Sequence, residues 1–292
     1  MIIELLTIGT FPAPIIWIAA TAASILYPPS SIPHPPAPAH YNAAMTQHTQ
    51  RTAVVTGASS GIGAATVQRL ADAGFHVYAG ARRVEKLRGI AEPVGATWME
   101  LDVRDRASVE TFAQQVERCD VLVNNAGGAH GLEPIGDADD ENWRVMWETN
   151  VLGLMFVTRA LLPKLEASGD GHIVNVGSIA GFEAYPGGAG YTSAKHGVRA
   201  ITRTLRLELL GKPIRVTEID PGLVETEFSI VRLRSEERAR QVYEGITPLT
   251  GDDIADCIVW AVTRPKHVNI DEMVVRPVAQ ATARDVARHA GL

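Results

Sequence analysis

The feature that most constrains the fold is a short β-branched strand, Thr52–Thr56, that runs directly into the glycine-rich turn TGASSGIG at 56–63. Gly57 permits the tight turn, Gly61 lets the backbone approach a ligand, and Gly63 allows a helix to pack closely on the strand. The free N–H groups and the positive dipole end of that helix favour phosphate. The turn therefore predicts a dinucleotide site. Its expected cofactor-binding residues are Gly57, Ser59, Ser60, Gly61, Ile62 and Gly63.

Apolar runs and amphipathic segments alternate along the rest of the chain. The predicted strands are Thr52–Thr56, His76–Ala79, Thr97–Leu101, Asp120–Asn124, His172–Val176, Arg215–Ile219 and a final Met273–Val275. The predicted helices are Ile62–Ala73, Arg83–Ile90, Ser108–Glu117 with Ser108 as N-cap, Asp140–Leu162 and Tyr191–Leu210. This alternation predicts an α/β fold, a doubly wound (Rossmann) parallel sheet with helices on both faces. One domain over residues 50–292 is expected.

The first 49 residues do not fit that pattern. Residues 1–27 are apolar and 28–38 are proline-rich. A secretory signal lacks its positive charge, and Pro12 and Pro14 interrupt a membrane span early. The third reading places the functional start near Met45, which opens a short polar lead before the first strand. We favour this reading, leave an anchor or a signal open, and expect poor order in this extension.

Composition limits the classes of partner. The net charge is -6 and no basic stripe offsets it, so nucleic acid is not expected as a partner. The two cysteines, Cys119 and Cys257, do not form a disulfide framework, which fits the reducing cytoplasm. The nine histidines lack a metal-ligand spacing, so no metal is expected. We expect a small-molecule substrate as partner rather than nucleic acid.

The end of the second strand predicts which dinucleotide binds. An NAD site has an acid there to hold the ribose 2′-hydroxyl. In this chain the strand is followed by Arg82 and Arg83, and the first acid is Glu85, inside the next helix. Two guanidiniums suit a 2′-phosphate, which accepts paired hydrogen bonds. The alternative is a solvated helix start, and we favour NADP.

A tyrosine and a lysine four residues apart define the predicted reaction centre. Tyr191 and Lys195 share one face of a helix, so the phenol and the ammonium lie side by side. The pKa of a free tyrosine is about 10, and a neighbouring cation lowers it toward the range of a useful base. Ser178 follows the fifth strand and can reach the same sheet edge. Its flanks, Val176 and Ala180, lack the glycines of a hydrolase nucleophile elbow.

Together these motifs resemble the short-chain dehydrogenase/reductase family over about residues 51–280. The matching motifs are TGASSGIG at 56–63, Asp102-Val103, NNAG at 124–127, Asn150, Ser178, YTSAK at 191–195 and PG at 221–222. The resemblance implies an oxidoreductase in which Tyr191 is the general acid/base, Lys195 holds the nicotinamide ribose and Ser178 bonds the substrate oxygen. Asn150 would anchor a proton-relaying water. The further cofactor-binding residues it implies are Asp102, Val103, Asn124, Ala126, Gly127, Pro221, Gly222, Val224 and Thr226, besides Arg82, Arg83, Tyr191 and Lys195.

A narrower resemblance points to the bacterial NADP-dependent 3-hydroxy acid dehydrogenases, which oxidise serine and allo-threonine. It rests on LEP at 132–134, PGLVETEF at 221–228 and HVNI at 267–270. The residue that would bind the substrate carboxylate is not evident. Arg232 and Arg234 could come from a mobile lid, but a solvated helix is the favoured interpretation. The resemblance also implies a homotetramer assembled through the long helices.

Two alternatives to this function stay open. The chain could be a ketone or aldehyde reductase of another substrate class, or a catalytically silent protein that senses NADP. The complete set of Asn150, Ser178, Tyr191 and Lys195 argues against a silent protein.

Overall fold

A computed structural model describes residues 50–288, and these form a seven-stranded parallel sheet enclosed by helices. The sheet order is β3-β2-β1-β4-β5-β6-β9. Its strands are β1 (Thr52–Thr56), β2 (His76–Ala81), β3 (Thr97–Glu100), β4 (Val121–Asn124), β5 (Gly171–Val176), β6 (Ile214–Pro221) and β9 (Glu272–Val275). The helices are α1 (Gly61–Asp72), α2 (Val84–Ala91), α3 (Arg106–Gln115), α4 (Asp140–Trp147), α5 (Leu154–Ser168), α6 (Ala189–Glu208), α7 (Glu227–Leu233), α8 (Glu236–Tyr243) and α9 (Gly251–Val262). A separate ribbon pairs β7 (Val224–Glu225) with β8 (Leu249–Thr250).

Both faces of the sheet are buried, which explains the nearly continuous apolar strands. Successive residues of β1 face opposite sides: Ala53 and Val55 belong to one apolar cluster and Val54 to the other. Leu70 of α1 and Ile258 of α9 pack in the first cluster. Phe112 of α3 and Leu161 of α5 pack in the second. Each such side chain contributes roughly 1.5–3 kcal/mol by leaving water. The doubly wound fold predicted from the sequence is confirmed.

The strand order sets the position of the functional site. β1 lies between β2 and β4, so the chain crosses to the opposite half of the sheet after β3. The connections on the two sides of β1 diverge there, and this leaves a crevice at the carboxyl ends of the strands. The glycine-rich turn after β1 opens into this crevice.

The long helix predicted over Asp140–Leu162 is interrupted and extends further. A π-helical turn, Glu148–Gly153, separates α4 from α5. α5 continues to Ser168, and Gly169, with φ 75°, ends it. The amide of Asn150 donates to the Met146 carbonyl within this wider turn (2.7 Å), a pairing that apolar periodicity does not signal.

The predicted N-cap of the third helix is wrong. Asp105 caps α3, and its side chain accepts from the Ala107 N–H at 3.0 Å. The Ser108 hydroxyl instead accepts from the Asp102 N–H at 3.1 Å, which fixes the chain just after β3. A carboxylate at the helix start also interacts favourably with the helix dipole.

Four elements after β6 were not predicted as such: β7, α7, β8 and α9. Thr250 and Asp253 form a reciprocal capping box at the start of α9. The charged segment after Ser235 does form a helix, α8, with Ser235 as its N-cap. The predicted helix Tyr191–Leu210 is α6, which begins at Ala189.

The interpretations of residues 1–49 lie outside the described residues. Within residues 50–288, one segment, Asp140–Ser168, is long and apolar enough to cross a membrane by length and composition alone. In this fold 44% of its most apolar window is buried, and a core helix passes the same test.

Candidate active site

A single cleft of about 820 Å³ lies at the carboxyl edge of the sheet and collects most of the predicted site residues. Those that line it are Gly57, Ser59, Ser60, Gly61, Ile62, Arg82, Arg83, Asp102, Val103, Ala126, Gly127, Ser178, Tyr191, Lys195, Pro221, Gly222, Val224 and Thr226. The predicted residues that are not in this lining are Gly63, Asn124 and Asn150. Motifs separated by more than a hundred residues, such as the glycine-rich turn and the Tyr191–Lys195 pair, therefore line the same cleft.

The glycine-rich turn is built for a close approach by a ligand. Gly57 and Gly61 have φ values of 66° and 54°, which favour glycine. A Cβ on Gly57 would stand 2.7 Å from the Ala126 Cα, and one on Gly63 would overlap the Gly57 carbonyl oxygen. Ser60, at the N-cap of α1, does not use its side chain to cap the helix. The first N–H groups of α1 therefore remain available to a phosphate.

Behind this turn, Arg83 is held by two serines and an acid. Its Nε donates to the Ser59 hydroxyl at 3.1 Å and its Nη2 to the Ser60 hydroxyl at 2.6 Å. Its Nη1 lies 2.6 Å from Glu227, which also pairs with Lys86 at 2.8 Å. The sequence indicated Arg83 but gave no signal for Lys86 or Glu227.

Asn124 and its neighbour Asn125 have different surroundings. The Asn124 amide is 4% exposed and donates to Thr158 and Asn175, both at 2.9 Å. It ties the sheet to α5 and lies outside the cleft lining, and its predicted part in cofactor binding stays a prediction. Asn125 lines the cleft instead, and its amide donates to the Thr56 carbonyl at 2.9 Å.

Tyr191, Lys195 and Ser178 meet at the floor of the cleft. Their exposed fractions are 8%, 6% and 9%. The Lys195 Nζ donates to the Val176 carbonyl at 2.8 Å and lies 5.8 Å from the centre of the Tyr191 ring. The Ser178 N–H donates to Asp220 at 2.8 Å, which fixes the serine at the end of β5.

The electrostatics of this floor differ from the simplest expectation. Burial is the largest influence on Tyr191 and raises the pKa of its phenol, while the Ser178 hydroxyl and the Arg232 guanidinium lower it. Burial also lowers the pKa of Lys195 to about 8, against the charges of Asp220 and Glu218. Burial, rather than either neighbouring cation, therefore dominates the pKa of Tyr191 and raises it, where the sequence predicted that Lys195 lowers it.

Asn150 sits in the π-helical turn with all of its amide groups engaged. Its Nδ2 donates to the Gly128 carbonyl at 2.9 Å and its Oδ1 accepts from the Gly128 N–H at 3.2 Å. A Cβ on Gly127 would stand 2.6 Å from this Oδ1. Asn150 thus supports the Gly127-Gly128 backbone that lines the cleft, and its predicted role with a water stays a prediction.

Arg232 of α7 lies beside Tyr191, although the sequence favoured a solvated helix for this residue. Its Nε donates to the Gly131 carbonyl at 3.1 Å and its Nη1 to the Tyr185 hydroxyl at 3.0 Å. The guanidinium carbon lies 5.4 Å from the centre of the Tyr191 ring. Its Nη2 is buried and has no hydrogen-bond partner among residues 50–288. Arg234, by contrast, bonds to Asn142 at 3.1 Å.

The loop from Pro221 to Thr226 forms the remaining wall. Thr226 caps α7 by accepting from the Phe228 N–H at 3.2 Å. Its side chain lies 3.1 Å from where a Cβ on Gly61 would stand, so α7 starts against the glycine-rich turn.

Among the residues that the structure describes, no group of three or more His, Cys, Asp or Glu could hold a metal.

Fold, cleft and side chains together define a nucleotide-dependent oxidoreductase, and the family model for short chain dehydrogenases matches residues 51–237. The chain therefore belongs to the short-chain dehydrogenase/reductase family, and the resemblance drawn from the motifs is confirmed.

Within this family, the chain is similar in sequence and in structure to the following oxidoreductases. An uncharacterized oxidoreductase of Mycobacterium tuberculosis (strain ATCC 25618 / H37Rv) is 58% identical over 82% of this chain and 96% of that protein. An NADP-dependent 3-hydroxy acid dehydrogenase of Salmonella typhi is 43% identical over 79% of this chain and 96% of its own length. A solved closed form of serine dehydrogenase complexed with NADP+ is similar with a TM-score of 0.77 and 40% identity, over 80% of this chain and 97% of that chain.

Proposed function

We propose that this enzyme uses NADP to oxidise a small 3-hydroxy acid, such as serine or allo-threonine, at its hydroxyl carbon. The observation that carries the proposal is the Arg232 guanidinium beside Tyr191, whose Nη2 is buried and has no hydrogen-bond partner among the described residues. A buried cationic donor without a partner costs free energy unless a ligand supplies an acceptor. A carboxylate is the acceptor that a guanidinium fits best.

The cofactor is NADP, as the arginines after the second strand predicted. Relatives named NADP-dependent and matched structures that contain NADP support this. In this chain the residues suited to hold it are the 57–63 turn for the pyrophosphate and Arg82, Arg83 and Ser60 for the 2′-phosphate. When bound, NADP supplies the hydride acceptor for the oxidation.

The remaining chemistry belongs to the buried floor of the cleft. Ser178, fixed by its N–H bond to Asp220, orients the substrate hydroxyl. In oxidation Tyr191 accepts the hydroxyl proton as a phenolate, after its own proton has left, and in reduction the phenol donates that proton to the substrate oxygen. Lys195 binds the ribose and adds positive charge near the phenol, and Asn150 holds the backbone that lines the cleft. Low exposure keeps water away from these groups, which strengthens their electrostatic interactions.

Substrate recognition depends on where the carboxylate sits relative to the proton acceptor. The Arg232 guanidinium lies beside the ring of Tyr191, the residue that accepts the proton. A substrate carboxylate bound at the Arg232 Nη2 therefore places a nearby substrate hydroxyl against Tyr191. Phe228 lies 5.5 Å from the Tyr191 ring, centre to centre, and limits the room on that side. A short acid suits this arrangement, and the position of its hydroxyl, one carbon beyond the α-carbon, is taken from the related 3-hydroxy acid dehydrogenase.

The test compares charged and neutral forms of one substrate. We expect the wild-type enzyme to turn over a 3-hydroxy acid with a kcat/KM well above that of its methyl ester, measured by the absorbance of NADPH. Arg232→Met should lower kcat/KM for the acid by about 10²-fold, the effect of losing charge-assisted hydrogen bonds. The ester should change little, because it offers the guanidinium no charge.

The matched control is Arg234→Met, which removes an arginine two positions away that bonds to Asn142. It should leave both substrates nearly unaffected. Equal turnover of acid and ester by the wild type, or turnover of bulky ketones alone, would contradict the proposal and favour a reductase of another substrate class.

Assembly and location complete the proposal. Trp147 and Leu152 of the α4–α5 segment are 39% and 41% exposed, a surface suited to a homotetramer. Val198 of α6, the other long helix, is 1% exposed and belongs to the core. We propose a cytoplasmic homotetramer, which sedimentation would test: a monomer at working concentration would overturn it.

A further inference from the structure

Glu227 lies between two cationic side chains, Arg83 and Lys86, that follow the second strand of the sheet. Glu227, the first residue of α7, pairs through one oxygen with Arg83 at 2.6 Å and through the other with Lys86 at 2.8 Å. The same Arg83 guanidinium donates to Ser59 and Ser60. Hydrogen bonds from Lys86 and Arg83 lower the pKa of Glu227 to about 2, so this acid is charged throughout the neutral range.

This corner is where the two nicotinamide cofactors differ. The end of β2 is the place at which dinucleotide folds contact the 2′ position of the adenosine ribose. A 2′-phosphate brings nearly two negative charges and needs the cations that Glu227 now pairs. A 2′-hydroxyl brings no charge and leaves those pairs intact. Glu227 and the phosphate therefore compete for Arg83 and Lys86.

We propose that Glu227 is a cofactor-specificity residue, which fills the anion position between Arg83 and Lys86 in the free enzyme and yields it to the 2′-phosphate of NADP. This inference rests on the proposed function in one respect, that Arg83 binds the 2′-phosphate. The exchange makes NADP binding weaker than the cations alone would allow, and it leaves NAD binding unchanged.

The position of Glu227 connects this exchange to the substrate site. Thr226 and Glu227 start α7 against Gly61 of the phosphate turn. The next residue, Phe228, packs on Tyr191, and Arg232 lies one turn further along the helix. The charge of the cofactor thus changes what holds the first turn of the helix that carries the substrate-binding arginine.

Titration calorimetry on the full chain tests the exchange without relying on activity. The probes are NADP+, NAD+, adenosine 2′,5′-bisphosphate and 5′-AMP. Glu227→Gln keeps the size of the side chain but removes its charge. We expect it to lower the Kd of NADP+ and of the bisphosphate by about 3- to 10-fold, the effect of two partly exposed ion pairs. The Kd values of NAD+ and 5′-AMP should stay within about 2-fold.

Two controls make the result specific. Glu237→Gln removes an exposed acid of α8 that, among residues 50–288, bonds to neither Arg83 nor Lys86, and it should change none of the four Kd values. In an Arg83→Met background the gain from Glu227→Gln should shrink, because the main contested partner is gone. A full gain in that background would overturn the exchange.

The outcomes separate this inference from the function beneath it. If Arg83→Met weakens NADP+ and NAD+ equally, the 2′-phosphate assignment itself fails. If Arg83→Met is selective for NADP+ and Glu227→Gln changes nothing, only the exchange fails. Weaker NAD+ binding by Glu227→Gln would also overturn it, and would indicate that Glu227 accepts a hydrogen bond from the ribose 2′-hydroxyl.

Discussion

Replacement of Glu218 by Gln probes the buried acids that lie behind Ser178. Glu218 of β6 is 1% exposed, and its Oε1 has no hydrogen-bond partner among the described residues. The charged groups that act on it are Asp220, Glu272, Arg199 and Lys195. Arg199 pairs with Asp220 at 3.3 Å and with Glu272 at 2.6 Å, so its charge is already shared.

The magnitude follows from the pKa of this carboxyl. Burial, reinforced by the charge of Asp220, raises the pKa of Glu218 from 4.5 to about 8. Between these two values the folded chain binds a proton that the unfolded chain has released. The contribution of Glu218 to the free energy of unfolding is therefore fully present below pH 4.5 and is lost as the pH rises to about 8. At about 1.4 kcal/mol per pKa unit, the loss is up to about 5 kcal/mol. Glu218→Gln is neutral at every pH and avoids it.

The assay is urea unfolding of the wild type and of Glu218→Gln at a series of pH values. We expect the free energy of unfolding of Glu218→Gln to gain on the wild type between pH 4.5 and about 8, and to hold that gain above it. Glu237→Gln, which changes an exposed acid, should follow the wild type at every pH. Parallel curves for Glu218→Gln and the wild type would refute the reasoning, since they would mean that Glu218 titrates as an ordinary carboxyl.

Two further predictions concern the cleft itself. Gly63→Ala forces a Cβ onto the Gly57 carbonyl oxygen, so we expect a stability loss of about 1–3 kcal/mol and at least about 10-fold weaker NADP+ binding. Urea unfolding measures the stability and calorimetry measures the binding. Unchanged NADP+ binding would show that the turn does not hold the pyrophosphate. Ser178→Ala should lower kcat by about 10²-fold or more while NADP+ affinity stays constant, because in the proposed function this hydroxyl contacts the substrate and not the cofactor. Parallel losses in stopped-flow turnover and in affinity would contradict that role.

Much of the fold could be predicted because its signals are local. β1, the glycine-rich turn and α1 follow one another within about twenty residues, and each glycine has a backbone reason visible in the sequence. The four-residue spacing of Tyr191 and Lys195 likewise fixes their common helix face. Such features depend on periodicity and steric limits that neighbouring residues determine alone.

The features that could not be predicted depend on contacts between distant segments. Glu227 meets Arg83 across 144 positions, and Arg232 meets Gly131 across 101. Both contacts exist because the chain after β6 folds back over the cleft as α7, a helix of seven residues with a weak periodic signal. The partners of Asn124 were missed for the same reason, since Thr158 and Asn175 reach it from α5 and β5.

The central claim is that Tyr191 transfers the proton while the rest of the cleft holds the cofactor. Tyr191→Phe removes one oxygen from a buried ring and keeps its packing against Phe228. Single-turnover kinetics and NADPH affinity, measured on the same preparation, test the claim most directly. We predict that turnover of the 3-hydroxy acid falls by about 10³-fold or more while the Kd of NADPH changes less than about 2-fold. Turnover within about 10-fold of the wild type would contradict the claim, because another group would then have to move the proton.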